Sequence, residues 1–391
     1  MAEHGLVVVG SGPAGLSAAQ AYRERGGAGP VRLVTYDPHP PYNRPPLTKD
    51  FLRGEAGEDA LPLEDPEFYD EHRIELLLDR RAVDLAPRTR QLVLDDGTRL
   101  AYDACVLATG SRPSVLPVPG ADHPDLLLLR TRAQGETLRA AVEGRSSALV
   151  VGSGFIGCEA AASLAQRGLQ VTIVSTEERP QQRRLGPEVA ERIAGWLTGS
   201  GVRLLGGQAV AAFEDGTTVR LEDGSTHTAE VVLVAAGVSP DGGLAERSGL
   251  ATEEGRVLVD AAMRTSDPRV LAAGDVALAH NGAAGRRVAV EHWGDAMTMG
   301  EVAGANAAGA TETWDSAPGF WSEIGEQVLK YAAWGDGYDE VRFVDHGEGA
   351  FTAWYLAGGV VVGVLTHEAD DDYERGQQLV EQGAPLEPSA R

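Results

Sequence analysis

An α/β fold with two dinucleotide-binding units and a small α+β C-terminal domain follows from three observations. A strand-length apolar run passes directly into G-x-G-x-x-G and then into small helix-forming residues at two places, 6–19 and 148–165. A second apolar run follows each, at 31–34 and 171–174, as the β-α-β order requires. From Pro318 onward the composition shifts to Trp, Tyr, Gly and Val, which marks a separate smaller domain. Two complete units in one chain are a far more specific signal than one glycine pattern, and they imply two nucleotides bound facing each other.

At 391 residues the chain exceeds one ordinary core. Its formal charge of -24 argues against nucleic acid or an anionic membrane as partner. No apolar run approaches the roughly twenty residues that span a bilayer, and the N-terminus lacks the basic, apolar and small-residue series of a signal peptide. The two cysteines, Cys105 and Cys158, are far apart. With no C-x-x-C pair, neither a redox dithiol nor a metal site is expected, and a reducing cytoplasm fits. Lys49 and Lys330 are the only lysines in an arginine-biased chain.

Each element has a physical reason. Gly10 permits the tight strand-to-helix turn, and Gly12 lets the backbone approach a pyrophosphate. Pro13 and Ala14 open the helix, and Gly15 lets it pack on the strand. Asp37, at the end of the second run, is placed to bind a ribose hydroxyl. The prolines of 38–46 predict an extended, stiff segment, with Thr48 capping a short helix that begins at Lys49. Residues 76–95, Val83 among them, read as short strands, and Asp95-Asp96-Gly97 as a hairpin turn. A buried strand then ends in Ala108-Thr109-Gly110.

In the second unit Gly152, Gly154 and Gly157 repeat the three glycine roles, with Ile156 inside the motif and Gly168 closing the helix. Glu159 lies one turn into that helix, where an acid is favoured by the macrodipole. The second strand ends in Ser175 rather than an acid, followed by Glu177, Arg179, Arg183 and Arg184. Ser175 does not repel a 2′-phosphate and an arginine could pair with one, whereas Glu177 could take the role of the missing acid; both NADH and NADPH stay open. Strands ending at Gly237 and at Gly274-Asp275 follow, then Val290-Glu291-His292-Trp293-Gly294-Asp295-Ala296.

The stretch 41–51, Pro-Tyr-Asn-Arg-Pro-Pro-Leu-Thr-Lys-Asp-Phe, resembles the P-Y-x-R-P-P-L-[ST]-K-x-[FY] segment of oxygenase-coupled and rubredoxin-type NAD(P)H–ferredoxin reductases. Apoptosis-inducing factors carry a related one. The resemblance implies a glutathione-reductase-like fold with FAD on the first unit and NAD(P)H on the second. It also implies an FAD-binding domain at 1–112 and 241–317, an NAD(P)H-binding domain at 113–240 and an interface domain at 318–391.

By the same resemblance Arg44 touches FAD, and Lys49 lies beside the flavin ring, paired with Glu159 where the nicotinamide docks. Val83, Ala108, Thr109 and Gly110 border the FAD site, and Gly237 the nicotinamide site. Leu129-Arg130-Thr131 is similar to the family's L-R-T, whose arginine reaches FAD. Asp275 matches the aspartate that binds the ribityl hydroxyls. Glu291, His292, Trp293 and Ala296 match a V-E-x-W-x-x-A segment whose backbone meets the pyrimidine edge of the flavin, with His292 serving structure rather than acid–base chemistry. Phe320-Trp321-Ser322-Glu323 resembles F-W-S-[DE], with Trp321 near flavin and nicotinamide.

The implied activity is hydride transfer from NAD(P)H to FAD, then single-electron transfer to a ferredoxin-like iron–sulfur protein, by a monomer or dimer. Arg179, Arg183, Arg184, Arg286 and Arg287 are candidates for a basic patch that meets an acidic carrier. Ile324-Gly325 departs from the reductases towards the apoptosis-inducing factors, whose likeness implies a slow-turnover NAD(P)H-sensing flavoprotein instead. A peroxidase of this fold would need an early redox cysteine, and none is there.

Overall fold

The computed structural model describes residues 4–387. Its first sheet is five-stranded and parallel, in the order Val270–Ala272, Ala104–Leu107, Leu6–Val9, Val31–Val34, Ile74–Leu77. The central strands are buried on both faces, which is why they read as unbroken apolar runs rather than as alternation. Leu6–Val9 has its sequence successor on one side and Ala104–Leu107 on the other, the switch point at which open α/β sheets bind ligands.

The second sheet repeats this in four parallel strands, ordered Arg203–Leu205, Gln170–Val174, Ser147–Val151, Val231–Val234. Its switch point lies at the end of Ser147–Val151. The chain crosses between the two sheets twice. The crossings, Ser111–Pro113 and Val238–Pro240, pair antiparallel with each other.

Helix Pro13–Glu24 packs against helix Trp293–Ala307 with their backbones in contact. A Cβ at Gly300 would lie 2.3 Å from the Ala14 carbonyl oxygen, and one at Gly304 2.1 Å from that of Ala18. No side chain fits between them. Only residues without a Cβ permit so close an approach.

The C-terminal part is a five-stranded antiparallel sheet, ordered Gly319–Ile324, Gln327–Ala333, Val360–His367, Ala350–Ala357, Glu340–Gly347, followed by helix Asp370–Gln382. The acidic run before and within that helix has a structural use. Asp370, Asp371 and Asp372 occupy its first turn, where they complement the macrodipole, and Asp370 pairs with Lys330 at 2.7 Å.

Two local expectations are corrected. The segment 38–46 is not extended throughout, because a 3-10 turn, Pro45–Thr48, begins within it. Proline is tolerated in the first turn of a helix, where its missing N–H would have had no partner. The short helix is Asp50–Arg53, one residue later than expected, and the Thr48 hydroxyl does not cap it. That hydroxyl is used elsewhere.

Ile324 and Gly325 also have a plain structural account. Ile324 is buried, and Gly325, at φ 66°, starts the tight turn that brings Ile324 opposite Gln327.

Candidate active site

The ends of both sheets open on one cavity of about 790 Å³. Three helices begin at its wall: Pro13–Glu24, Phe155–Gln166 and Trp293–Ala307. None has a side-chain cap, so their first N–H groups are left for a ligand. Helix Arg132–Ala141, by contrast, carries a full capping box of Thr131 and Gln134.

The two glycine turns are near copies. Gly10 has φ 111° and Gly152 φ 110°; a Cβ would lie 2.1 Å from the Ala108 oxygen in one and 2.3 Å from the Ala235 oxygen in the other. At Gly12 the nearest heavy atom to such a Cβ is 3.7 Å away, on Arg44, so the backbone there faces open cavity. The elongated site, the glycine turns and the uncapped N-termini fit two dinucleotides.

The first unit's polar groups are tightly interlinked. Asp275 accepts from Ser111 Oγ at 2.6 Å and from the Arg130 guanidinium at 2.5 Å. Burial depresses the Arg130 pKa below its usual value, partly offset by the Asp275 charge. Asp37 lines the cavity, but its oxygens also accept from Tyr42 Oη at 2.8 Å and from the His39 backbone N–H at 3.1 Å. Burial pushes the Tyr42 phenol up to about 12, against the opposing charge of Arg44.

The most connected group is Glu159. It pairs with Lys49 at 2.7 Å, and both are almost fully buried. Lys49 Nζ is also 5.0 Å from the Trp321 ring centroid, and Trp321 itself is half exposed rather than part of a core.

His292 contacts Asp295 through Nδ1 at 3.0 Å, and Arg184 reaches its Nε2 at 3.4 Å. Arg184 also lies 5.2 Å from the Phe320 and Tyr331 rings and lines the cavity while remaining exposed. Of the arginines expected in a basic patch, Arg179 pairs with Glu191 and Arg286 with Asp336, while Arg183, Arg184 and Arg287 are exposed.

The cavity wall gathers Gly10, Gly12, Pro13, Ala14, Asp37, Arg44, Lys49, Val83, Ala108, Thr109, Gly110 and Arg130. It also includes Gly154, Ile156, Glu159, Gly237, Gly274, Asp275, Glu291, His292, Trp293, Ala296 and Trp321. Four expected binding residues are not part of it. Gly15, Gly152 and Gly157 serve backbone packing: a Cβ on Gly15 or Gly157 would overlap the Gly10 or Gly152 oxygen. Ser175 is buried and bonded to Ser153 Oγ at 2.6 Å, and the carboxylate of Glu177 accepts from the Arg183 backbone N–H.

Sequence reasoning missed Ser111, Ser322 and the role of Thr48. Their partners lie 111 to 164 positions away, and no local spacing signals them. Cys105 and Cys158 are free and fully buried; burial raises the Cys105 thiol to about 12 and moves Cys158 upward as well, so neither is a ready nucleophile. Among the described residues no group of His, Cys, Asp and Glu is placed to hold a metal, and no helix is long and apolar enough to cross a membrane.

Two nucleotide folds that share one cavity, with a buried lysine–glutamate pair between them and no cysteine at hand, define a two-nucleotide flavoprotein oxidoreductase. The comparisons agree. Residues 4–300 match the pyridine nucleotide-disulphide oxidoreductase family and residues 319–391 the reductase C-terminal domain. The chain is 34% identical to rhodocoxin reductase of Rhodococcus erythropolis, over 98% of this chain and 91% of that one. It is 30% identical to human apoptosis-inducing factor 3, over 97% of this chain and 64% of that one. A solved covalent complex of putidaredoxin reductase with putidaredoxin superposes with TM-score 0.92 at 31% identity, covering 98% of this chain and 94% of that one. The chain belongs to the pyridine nucleotide-disulphide oxidoreductase family, in its ferredoxin-reductase branch, and its cofactors are FAD and NAD(P)H.

Proposed function

We propose that this chain passes reducing equivalents from NAD(P)H through FAD to a ferredoxin-like iron–sulfur protein in the cytoplasm. In this reading residues 1–112 and 241–317 hold FAD, 113–240 hold NAD(P)H, and 318–391 close the site. The observation that carries it is the single cavity where both glycine turns and the Lys49–Glu159 pair meet. Bound FAD supplies a two-electron hydride acceptor that releases electrons singly.

The chain's own residues do the rest. Uncapped N–H groups in the first turns of helices Pro13–Glu24 and Phe155–Gln166 receive the two pyrophosphates, and the positive end of helix Trp293–Ala307 favours negative charge at the flavin's pyrimidine edge. Asp275, held by Ser111 and Arg130, orients the ribityl chain. Lys49 holds positive charge beside the ring, and Glu159 fixes that charge in place where the nicotinamide docks.

Anaerobic stopped-flow with NADH, then NADPH, followed by a ferredoxin tests this. Fast bleaching by either donor and rapid reoxidation by the ferredoxin are expected. Slow bleaching into a persistent charge-transfer band would replace the reductase with the sensing flavoprotein.

A further inference from the structure

Glu159 uses every acceptor position it has. Oε2 receives the Thr48 hydroxyl at 2.6 Å and the Lys49 ammonium at 2.7 Å. Oε1 receives the Ser322 hydroxyl at 2.7 Å and the Glu323 backbone N–H at 3.3 Å. A carboxylate offers about four lone-pair sites, so the set is complete. The division is by domain: one oxygen serves the segment that carries Lys49, and the other serves the first strand of the C-terminal sheet.

Ser322 is 1% exposed and does not line the cavity. Its backbone is held in the hairpin opposite Leu329, and its hydroxyl has Glu159 as its one partner among the described residues. The terminal torsion of a glutamate is broad, and without the Ser322 hydroxyl Oε1 would keep only the longer 3.3 Å bond from the Glu323 N–H, a weaker hold on the carboxylate. A donor on Oε1, anchored in a rigid strand, stops that rotation.

We infer that Ser322 is a positioning residue for flavin reduction. It locks the carboxylate of Glu159, and through it the direction of the Lys49 ammonium. The C-terminal domain thereby takes part in the step that consumes NAD(P)H, and not only in the step that meets the electron acceptor. This rests on the reading of the Lys49–Glu159 pair given above. A separate bond, Ser163 Oγ to the Thr48 oxygen at 2.7 Å, ties the 45–48 segment to the second phosphate helix. Loss of Ser322 therefore loosens Glu159 without releasing that segment altogether.

The test uses the FAD-loaded full chain and two readouts. In anaerobic stopped-flow, Ser322→Ala is expected to slow reduction by NADH about tenfold, the effect of one lost hydrogen bond to a charged group, with KM unchanged and FAD retained. Ser322→Thr, which keeps the hydroxyl, restores most of the rate.

In amide hydrogen exchange, Ser322→Ala is expected to raise exchange in residues 45–52, on the far side of Glu159. Gains confined to 319–333, or an unchanged reduction rate, overturn the proposal. Should Ser322→Ala not fold, Ser322→Cys, with its weak thiol donor, carries the same two readouts. A Glu159→Gln variant that reduces at the wild-type rate would remove the reading of the pair itself, and the exchange result would still decide whether Ser322 positions Glu159.

Discussion

The two nucleotide units share a backbone and a hydroxyl link, Ser11 to Thr35 at 3.0 Å and Ser153 to Ser175 at 2.6 Å, and differ in the charged side chains around it. Gly10 and Gly152 adopt φ values one degree apart, and each donates its N–H to the end of the neighbouring strand at the same length: Gly10 N to Val34 O and Gly152 N to Val174 O are both 2.8 Å. Around the first turn stand Asp37, Arg44 and the Arg130–Asp275 link, all partly or wholly buried. Around the second, Glu177 stands at the place of Asp37, and its carboxylate accepts from the Arg183 backbone N–H. The glycines define where a pyrophosphate can sit, and the side chains decide how long it stays. A resident cofactor and an exchanging one need the same turn but not the same surroundings.

Equivalent glycine substitutions should therefore give different phenotypes. Gly10→Ala forces a Cβ into the Ala108 carbonyl at positive φ, at a cost above about 3 kcal/mol, and is expected to yield protein without the flavin spectrum. Gly152→Ala is expected to stay yellow but to lose NAD(P)H binding, measured by titration. A colourless Gly152→Ala would mean that the two turns are not independent.

Next in size is the pair that joins the units. Lys49→Met leaves Glu159 buried without its counter-ion and is expected to slow anaerobic reduction about 10- to 100-fold with FAD retained. The Lys49→Met, Glu159→Leu double variant should cost less than the sum of its singles, since it removes both charges together. Additive losses would mean that the two residues act separately.

Ser175→Glu sharpens the contrast by adding an acid directly after the second strand, two residues before Glu177. It is expected to move the ratio of NADH to NADPH efficiency towards NADH by about tenfold, through repulsion of the 2′-phosphate. An unmoved ratio would assign the choice to other residues of the adenosine end.

The smallest effect lies at high pH. The Tyr42 phenol, raised from 10.0 to about 12, contributes stability that is complete below pH 10 and is lost as pH rises through 12. Tyr42→Phe is expected to flatten the alkaline fall of stability in that window, read from denaturant midpoints at several pH values.

The nucleotide units were legible because each compresses a strand, a turn and a helix into fifteen or so adjacent positions, where steric rules act locally. Lys49 and Glu159 were legible through the resemblance carried by 41–51. The partners of Glu159 were not, because Thr48 and Ser322 reach it from separate domains, and Thr48 reads locally as a helix cap. Pro45–Thr48 was misread for a related reason: the same prolines that bar a helix interior also start a helical turn well. The scattered fate of the arginines depended on acids brought near by folding, such as Glu191 and Asp336, which no count of charges locates.

The contact of Gly300 and Gly304 with Ala14 and Ala18 works as a fixed gauge. The first turns of the pair also meet at Gly274, where a Cβ would lie 3.1 Å from Ala14 Cβ and 3.4 Å from Ala296 Cβ, so two uncapped N-termini are held side by side on one cavity wall. Ordinary helix pairs are spaced by side chains, which mutation can lengthen or shorten. Here the spacing is set by main-chain atoms, and drift in sequence elsewhere leaves the calibration untouched.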